Sequence, residues 1–314
     1  MKEMTVPSNR KPINIAFLAY LSLILGVLFL SISPLFVRWA DAPGVVTSFY
    51  RMLIVTFLLG SLALIRPKSF SIRKSPAIIW LLPILGGIFS GIDHALWSTS
   101  IGNTFVANAT LLNYIAPLWV SLVAILLLKE QYAWFFWPGM AAVLMGAWIV
   151  TGVEFNNFSS ISFRGEGFAV LSSFFYAGYF IVSQRAQRHT RVVDFMLLSS
   201  AAAMVVLFII ILVSGISIFG YSRHTYLTFL IAGLSSQLGG YFSINYALRH
   251  IPATVVSSVL VLQPVITALL AIRTEGEMLS TLQIIGGLLV IGGVIVVKTA
   301  KKLSSEEPTL IEPA

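Results

Sequence analysis

The chain has 314 residues, 57% of them hydrophobic and only 10% charged, with a mean hydropathy of +0.91. A soluble domain is about 25% charged, so the polar surface is too small to cover a globule of this size in water. That excludes a soluble enzyme, a nucleic-acid-binding domain and a disordered tail, and leaves a protein whose solvent is lipid. The 20 Lys+Arg against 12 Asp+Glu give a net charge of +8, but the basic residues fall between apolar runs, where they orient a membrane chain rather than hold nucleic acid. With no cysteine, disulfides, zinc–thiolate clusters and thiol chemistry are not available.

A hydrocarbon core of about 30 Å takes about 20 apolar residues as helix. Ten such runs follow one another, at 13–37, 43–65, 77–99, 105–128, 133–153, 166–184, 193–214, 226–247, 253–272 and 279–297. Lys2, Arg10 and Lys11 precede the first run, which is too long for the apolar core of a cleaved signal peptide. Strands of a membrane barrel would alternate in polarity, and runs such as Leu21 to Leu30 do not. The expectation is an all-α protein with ten transmembrane helices.

Lys and Arg resist translocation. With the N-terminus inside, fifteen of them fall on the cytoplasmic side, four (Arg38, Arg164, Arg223, Arg273) on the outer side, and Arg51 within a span. Tails 1–12 and 299–314 are then both cytoplasmic. Trp39, Trp80, Trp134 and Trp137 sit near span ends, as interfacial belts require.

A shift of 147 residues superimposes the two halves without a gap. Pro117 falls on Pro264, Glu130 on Glu277, Gly139 on Gly286, Gly146 on Gly293 and Arg38 on Arg185. The repeats are 13–153 and 160–298. Each holds five spans, an odd number, so the second inserts upside down, a device of secondary transporters whose substrate binds between the halves near the midplane. The paired glycines are two helical turns apart and share one face, which suits close helix packing.

Ionisable groups within a span are costly and mark candidate functional sites. There are three: Arg51 in the second span, Asp93 and His94 in the third. At 1.5 Å per residue, Arg51 lies about 12 Å and Asp93 about 9 Å from the outer ends of their helices, close enough in depth to pair. Two readings stand. Arg51 binds an anionic group while Asp93 or His94 exchanges a proton, or Arg51 and Asp93 form a static pair that locks two helices.

The motifs "PLFVRW", "SFYRMLI", "ALWSTSIGNTFVANATLLNYIAPLWVSLVAILLLKEQ" and "GMAAVLMGAWIVTG" in the first half resemble the first repeat of the EamA-type drug/metabolite transporter superfamily. "INYALRHIPATVVSSVLVLQPVITALLAI" and "GGLLVIGGVIVV" resemble its second. The resemblance covers all but the tails. It implies a ten-helix inverted-repeat carrier with a central cavity, an exporter or exchanger of small metabolites in a prokaryotic inner membrane, while the substrate does not transfer with the family, whose members handle very different molecules. Arginine in the second span is a common family feature, which favours a structural or gating role for Arg51. One departure is the sequence "IRTEGE" from Ile272 to Glu277, which predicts a charged outer rim of Arg273, Glu275 and Glu277.

Polar residues midway along the central spans are candidates for the cavity: Trp97, Asn108, Asn113 and Tyr114 from the first half, and Gln237, Tyr241, Asn245 and Gln263 from the second. Ser257 and Ser258 lie beside them, and Tyr176 and Tyr179 are weaker candidates. Amides and hydroxyls would hydrogen-bond a solute while aromatic rings cover its apolar part; bonding between helices is the alternative use. Several candidates lack a like counterpart at the 147-residue shift: Arg51 falls on Leu198, Asp93 on Gly240, His94 on Tyr241, Asn113 on Leu260 and Gln263 on Ala116. Pro117 and Pro264 are candidate hinges, each removing a backbone hydrogen bond.

The expected function is secondary active transport of a small organic metabolite, gated by rocking of the repeats, without cofactor or metal. The partners are that solute, the lipid bilayer and protons as a coupling ion, and a homodimer is compatible. Uptake by the same fold is the alternative. An integral-membrane enzyme is a different class, and the four scattered histidines (94, 189, 224 and 250) do not supply its constellation.

Overall fold

A computed structural model describes residues 15–66, 77–101, 103, 106–127, 129–151, 163–266, 269 and 280–306, without the side chains of 38, 77–78, 106–108, 163–164 and 301–306. The described residues are helical, with short connectors. Helices α1 (Ile15–Ser31) and α2 (Ser33–Trp39) are followed by α3 (Gly44–Ile65), α4 (Ala77–Ile101), α5 (Val106–Asn113), α6 (Ala116–Leu126) and α7 (Phe136–Thr151). Then come α8 (Phe163–Ala186), α9 (Val192–Val213), α10 (Arg223–Ala232), a π-helical segment (Gly233–Gly240), α11 (Tyr241–Leu248), α12 (Ala253–Leu260) and α13 (Thr281–Glu306).

Among the described residues, eight continuous helical stretches are long and apolar enough to cross a membrane, and two shorter apolar ones, Phe136–Thr151 and Ala253–Ile266, fall on further predicted spans. In lipid every backbone polar group must find a partner within the chain, which long apolar helices provide. Their outward faces carry large apolar residues, among them Phe17, Phe57, Leu212 and Leu288, as a lipid-facing surface would. The protein is therefore a multi-pass membrane protein. Trp39 closes α2 and Trp134 precedes α7, both with exposed rings.

Prolines shape three of the helices. The first span breaks at Ile32, two residues before Pro34, where the Leu35 amide bonds to the Ile32 carbonyl at 3.1 Å. The fourth breaks at Tyr114–Ile115, before Pro117, and the ninth at 261–262, before Pro264. The missing proline N–H and the ring's clash with the preceding turn disfavour a continuous helix. The amides at both breaks reach back three residues instead of four, with Ile115 on Leu112 at 3.2 Å and Leu262 on Val259 at 3.0 Å. These two breaks are 147 residues apart, so Pro117 and Pro264 do the same thing to matching helices.

Packing follows the glycines. Helix α7 lies against α13 with Gly293 over the Gly139 carbonyl and Gly146 over the Gly286 carbonyl, so the two run antiparallel. A Cβ on Gly146 would stand 2.5 Å from that carbonyl oxygen and 2.7 Å from the Val290 amide nitrogen. These are backbone atoms that cannot swing aside, and the packing role expected of the four glycines is what the contacts show. Other helix contacts recur with the halves exchanged. Helix α4 packs on α8 as α11 and the π segment pack on α1, and α4 packs on α9 as the π segment packs on α3.

The π segment has the sequence GLSSQLGG. Gly239 and Gly240 let Phe29 and Leu30 of α1 approach its backbone closely, where any Cβ would meet them. Among the described residues, two connector residues other than glycine have positive φ: Asp41 (45°), after α2, and Lys129 (55°), after α6. The predicted rim of Arg273, Glu275 and Glu277 lies outside the described residues, as do residues 1–14 and 307–314 of the tails.

Candidate functional site

A cavity of about 70 Å³ opens where the broken helices meet. Each half contributes to its walls. From the first come Leu30, Ser33, Pro34, Arg51, Asp93, His94, Trp97, Thr110, Asn113 and Tyr114, and from the second Tyr176, Tyr241 and Gln263. The space suits a few waters; sites that enclose a drug-sized ligand run to about 300–1,000 Å³.

Two clusters of polar atoms define its chemistry. In the first, Asp93 Oδ1 accepts from Ser172 Oγ at 2.6 Å and from Asn113 Nδ2 at 3.3 Å, while Asn113 also donates to Ser172 at 2.8 Å. Asp93 Oδ2 lies 3.6 Å from His94 Nδ1. That nitrogen is 2.8 Å from the Ser90 carbonyl four residues back. A carbonyl only accepts, so Nδ1 carries the proton, and Nε2 is the basic nitrogen of the neutral ring. Helix α4 thus offers an acid and a base side by side.

In the second cluster Arg51 is 2% exposed, and its guanidinium donates to Gln237 Oε1 at 3.5 Å. Its Nε is buried and has no hydrogen-bond partner, and among the described residues no carboxylate lies within 4 Å of it. The expected Arg51–Asp93 pair is therefore not formed in this structure. The depths match, but the carboxylate is turned to donors from α8 and α5, and the amide of the π segment stands at the guanidinium instead. A buried guanidinium with five donors and so few acceptors calls for an anionic partner.

The structure brings Trp97, Asn113, Tyr114, Tyr241 and Gln263 to this cavity beside Arg51, Asp93 and His94, and Gln237 joins it through Arg51. Asn245 does not line it. The amide of Asn245 donates to the Tyr179 hydroxyl at 2.7 Å and to the Tyr241 carbonyl at 2.8 Å, and its oxygen accepts from Ser183 and Gln187, which cross-links α8 to α11. Ser257 and Ser258 likewise return their hydroxyls to the Thr254 carbonyl. Asn108 lies on α5, but its side chain is outside the described residues.

Sequence reasoning missed Ser33, Pro34, Thr110 and Ser172 and ranked Tyr176 low. Pro34 was the available signal, because it breaks the first span beside the cavity. Among the described residues no three His, Asp or Glu side chains converge as a metal would need.

The model of the EamA-like transporter family matches residues 17–152 and again 163–299, the two halves related by the 147-residue shift. The uncharacterized transporter YdfC of Bacillus subtilis (strain 168) is 22% identical over 245 residues, covering 78% of each chain. A solved crystal structure of another protein superposes with a TM-score of 0.75 at 17% identity, covering 92% of this chain and 99% of that one, a likeness of fold.

Proposed function

Because the chain belongs to the EamA-like transporter family, we propose that it is a secondary active transporter of a small organic solute bearing a carboxylate, an amino acid or a related amphipathic molecule. The observation that carries this reading is the buried, under-satisfied guanidinium of Arg51 in a cavity walled by both halves. A carboxylate meets a guanidinium in a two-pronged, charge-assisted geometry, and Trp97, Tyr114 and Tyr241 present rings to the apolar part of such a solute. The family and its Bacillus relative point to a transporter rather than an enzyme.

In this reading the ten apolar stretches are ten spans, arranged as two inverted five-helix repeats with both termini cytoplasmic. The antiparallel glycine contacts and the recurrence of helix contacts under exchange of halves support the inversion. The protein sits in the cell inner membrane and works by alternating access as an exporter or exchanger. The breaks at Pro117 and Pro264 act as hinges as the halves rock, and Asp93 with His94 passes the coupling proton.

The test is transport in proteoliposomes loaded with a panel of amino acids and their decarboxylated analogues. The reading expects movement of the acids and not of the amines, lost in Arg51→Leu. Equal transport of both sets would overturn the assignment of Arg51 to the carboxylate.

A further inference from the structure

A second polar pocket, of about 300 Å³, lies where α6 and α8 both end, lined by Leu127, Glu130, Gln184, Arg185 and Arg188. Arg185 and Arg188 are three residues apart at the C-terminal end of α8, on one side of the chain, where cations also meet the negative end of the helix dipole. Both are exposed, and neither makes an ion pair among the described residues. Glu130 is the acidic member of the pocket. The Tyr132 hydroxyl donates to its Oε2 at 2.7 Å, and burial together with this bond holds the phenol well above its ordinary pKa, so the donor keeps its proton.

Next to this pocket an apolar crevice of about 210 Å³ runs between α4, α6 and α8, walled by Phe89, Trp119, Val123 and Phe174. Leu127 lines both spaces, so the basic pocket and the crevice are contiguous. Leu127 and Phe174 are exposed, on the surface assigned to lipid.

We propose that this composite binds an anionic phospholipid, with the headgroup phosphate on Arg185 and Arg188 and an acyl chain in the crevice beside Trp119. A basic pocket between spanning helices at the positively charged side of the membrane is suited to such a headgroup. A soluble anion would leave the crevice unfilled, and a zwitterionic lipid would bring its own cation against the two guanidinium groups. The site rests on the membrane-spanning assignment of α4, α6 and α8 and is independent of what the central cavity carries.

The intact protein in nanodiscs tests this with lipids brominated on the acyl chain, which quench nearby tryptophan. The Trp119 contribution is the difference between the protein and Trp119→Phe. Brominated phosphatidylglycerol should quench it at about tenfold lower mole fraction than brominated phosphatidylcholine, in line with two cations acting on one anionic headgroup. Arg185→Gln with Arg188→Gln should erase that preference, and the paired Lys variants should keep most of it. Equal quenching by the two lipids in the intact protein, or a preference that survives the Gln variants, would overturn the proposal. Loss of the preference in millimolar inorganic phosphate would overturn it too, by assigning the pocket to a soluble anion.

Discussion

The seam between α7 and α13 and the central cavity are built by opposite rules. In the seam each glycine has a glycine as its counterpart 147 residues away, and the contacts cross, Gly139 to Gly293 and Gly146 to Gly286. In the cavity the polar residues have unlike counterparts, Leu198 for Arg51, Gly240 for Asp93 and Leu260 for Asn113. Duplication preserves what two similar halves need in order to dock. A site for an asymmetric solute has to depart from it, and the costliest buried groups sit where the halves differ.

Five substitutions can break or sharpen this contrast. The largest effect is expected of Gly146→Leu, whose new side chain meets backbone rather than movable atoms. Overpacking costs about 1–3 kcal/mol even where side chains can yield, so this variant should give no monodisperse protein in detergent. Gly292→Leu, on α13 next in sequence to the seam residue Gly293 but with nothing within 4 Å of its Cβ, should purify normally. If the two behave alike in size-exclusion chromatography, the seam does not depend on close approach.

Arg51→Leu comes next. Hydrogen bonds to a charged group contribute about 1.5–3 kcal/mol, so solute affinity should fall roughly 10- to 100-fold by equilibrium binding, with the thermal midpoint little changed. Asp93→Asn should keep binding within about threefold, since an amide still accepts from Ser172, yet remove the dependence of transport on a pH gradient. Unchanged coupling in proteoliposomes would take Asp93 out of the proton path. Combining the two changes separates the remaining readings: if the double variant regains transport, Arg51 and Asp93 act as a locking pair in some other state of the cycle.

The smallest effect is expected at Lys129. A left-handed backbone costs a residue with a Cβ about 1–2 kcal/mol, and glycine brings an entropic penalty of about 0.5–1 kcal/mol. Lys129→Gly should therefore raise stability by about 0.5 kcal/mol, seen as a slight rise in the thermal midpoint. A fall would show that the lysine side chain holds the connector.

Much of the architecture was legible because lipid imposes a simple rule of length and apolarity: among the described residues eight helices are long and apolar enough to cross a membrane, and two shorter apolar ones fall on the other two runs. The breaks at Tyr114–Ile115 and 261–262 were legible too, since Pro117 and Pro264 announce them. The site was legible in depth and not in direction. A constant rise per residue gives the height of Arg51, Asp93 and Asn245, but rotation about each helix and the choice of neighbours decide partners. Ser172 reaches Asp93 only because α8 packs on α4, and Asn245 turns to Tyr179, away from the cavity, at a height that suited it. The close approach of Phe29 and Leu30 to Gly239 and Gly240 of the π segment could not be read either, because it is a contact between distant parts of the chain.

Lys129 has a consequence beyond its backbone angle. The residue that corresponds to it in the second half is Gly276, the type that such a conformation favours. On the proposed orientation the first connector stays in the cytoplasm and the second is carried across. A lysine at that point helps retain its loop while the nascent chain is threaded into the bilayer. On that orientation the finished protein keeps, as a small permanent strain at Lys129, the trace of a decision made during its synthesis, and the matching position, free of that decision, carries glycine.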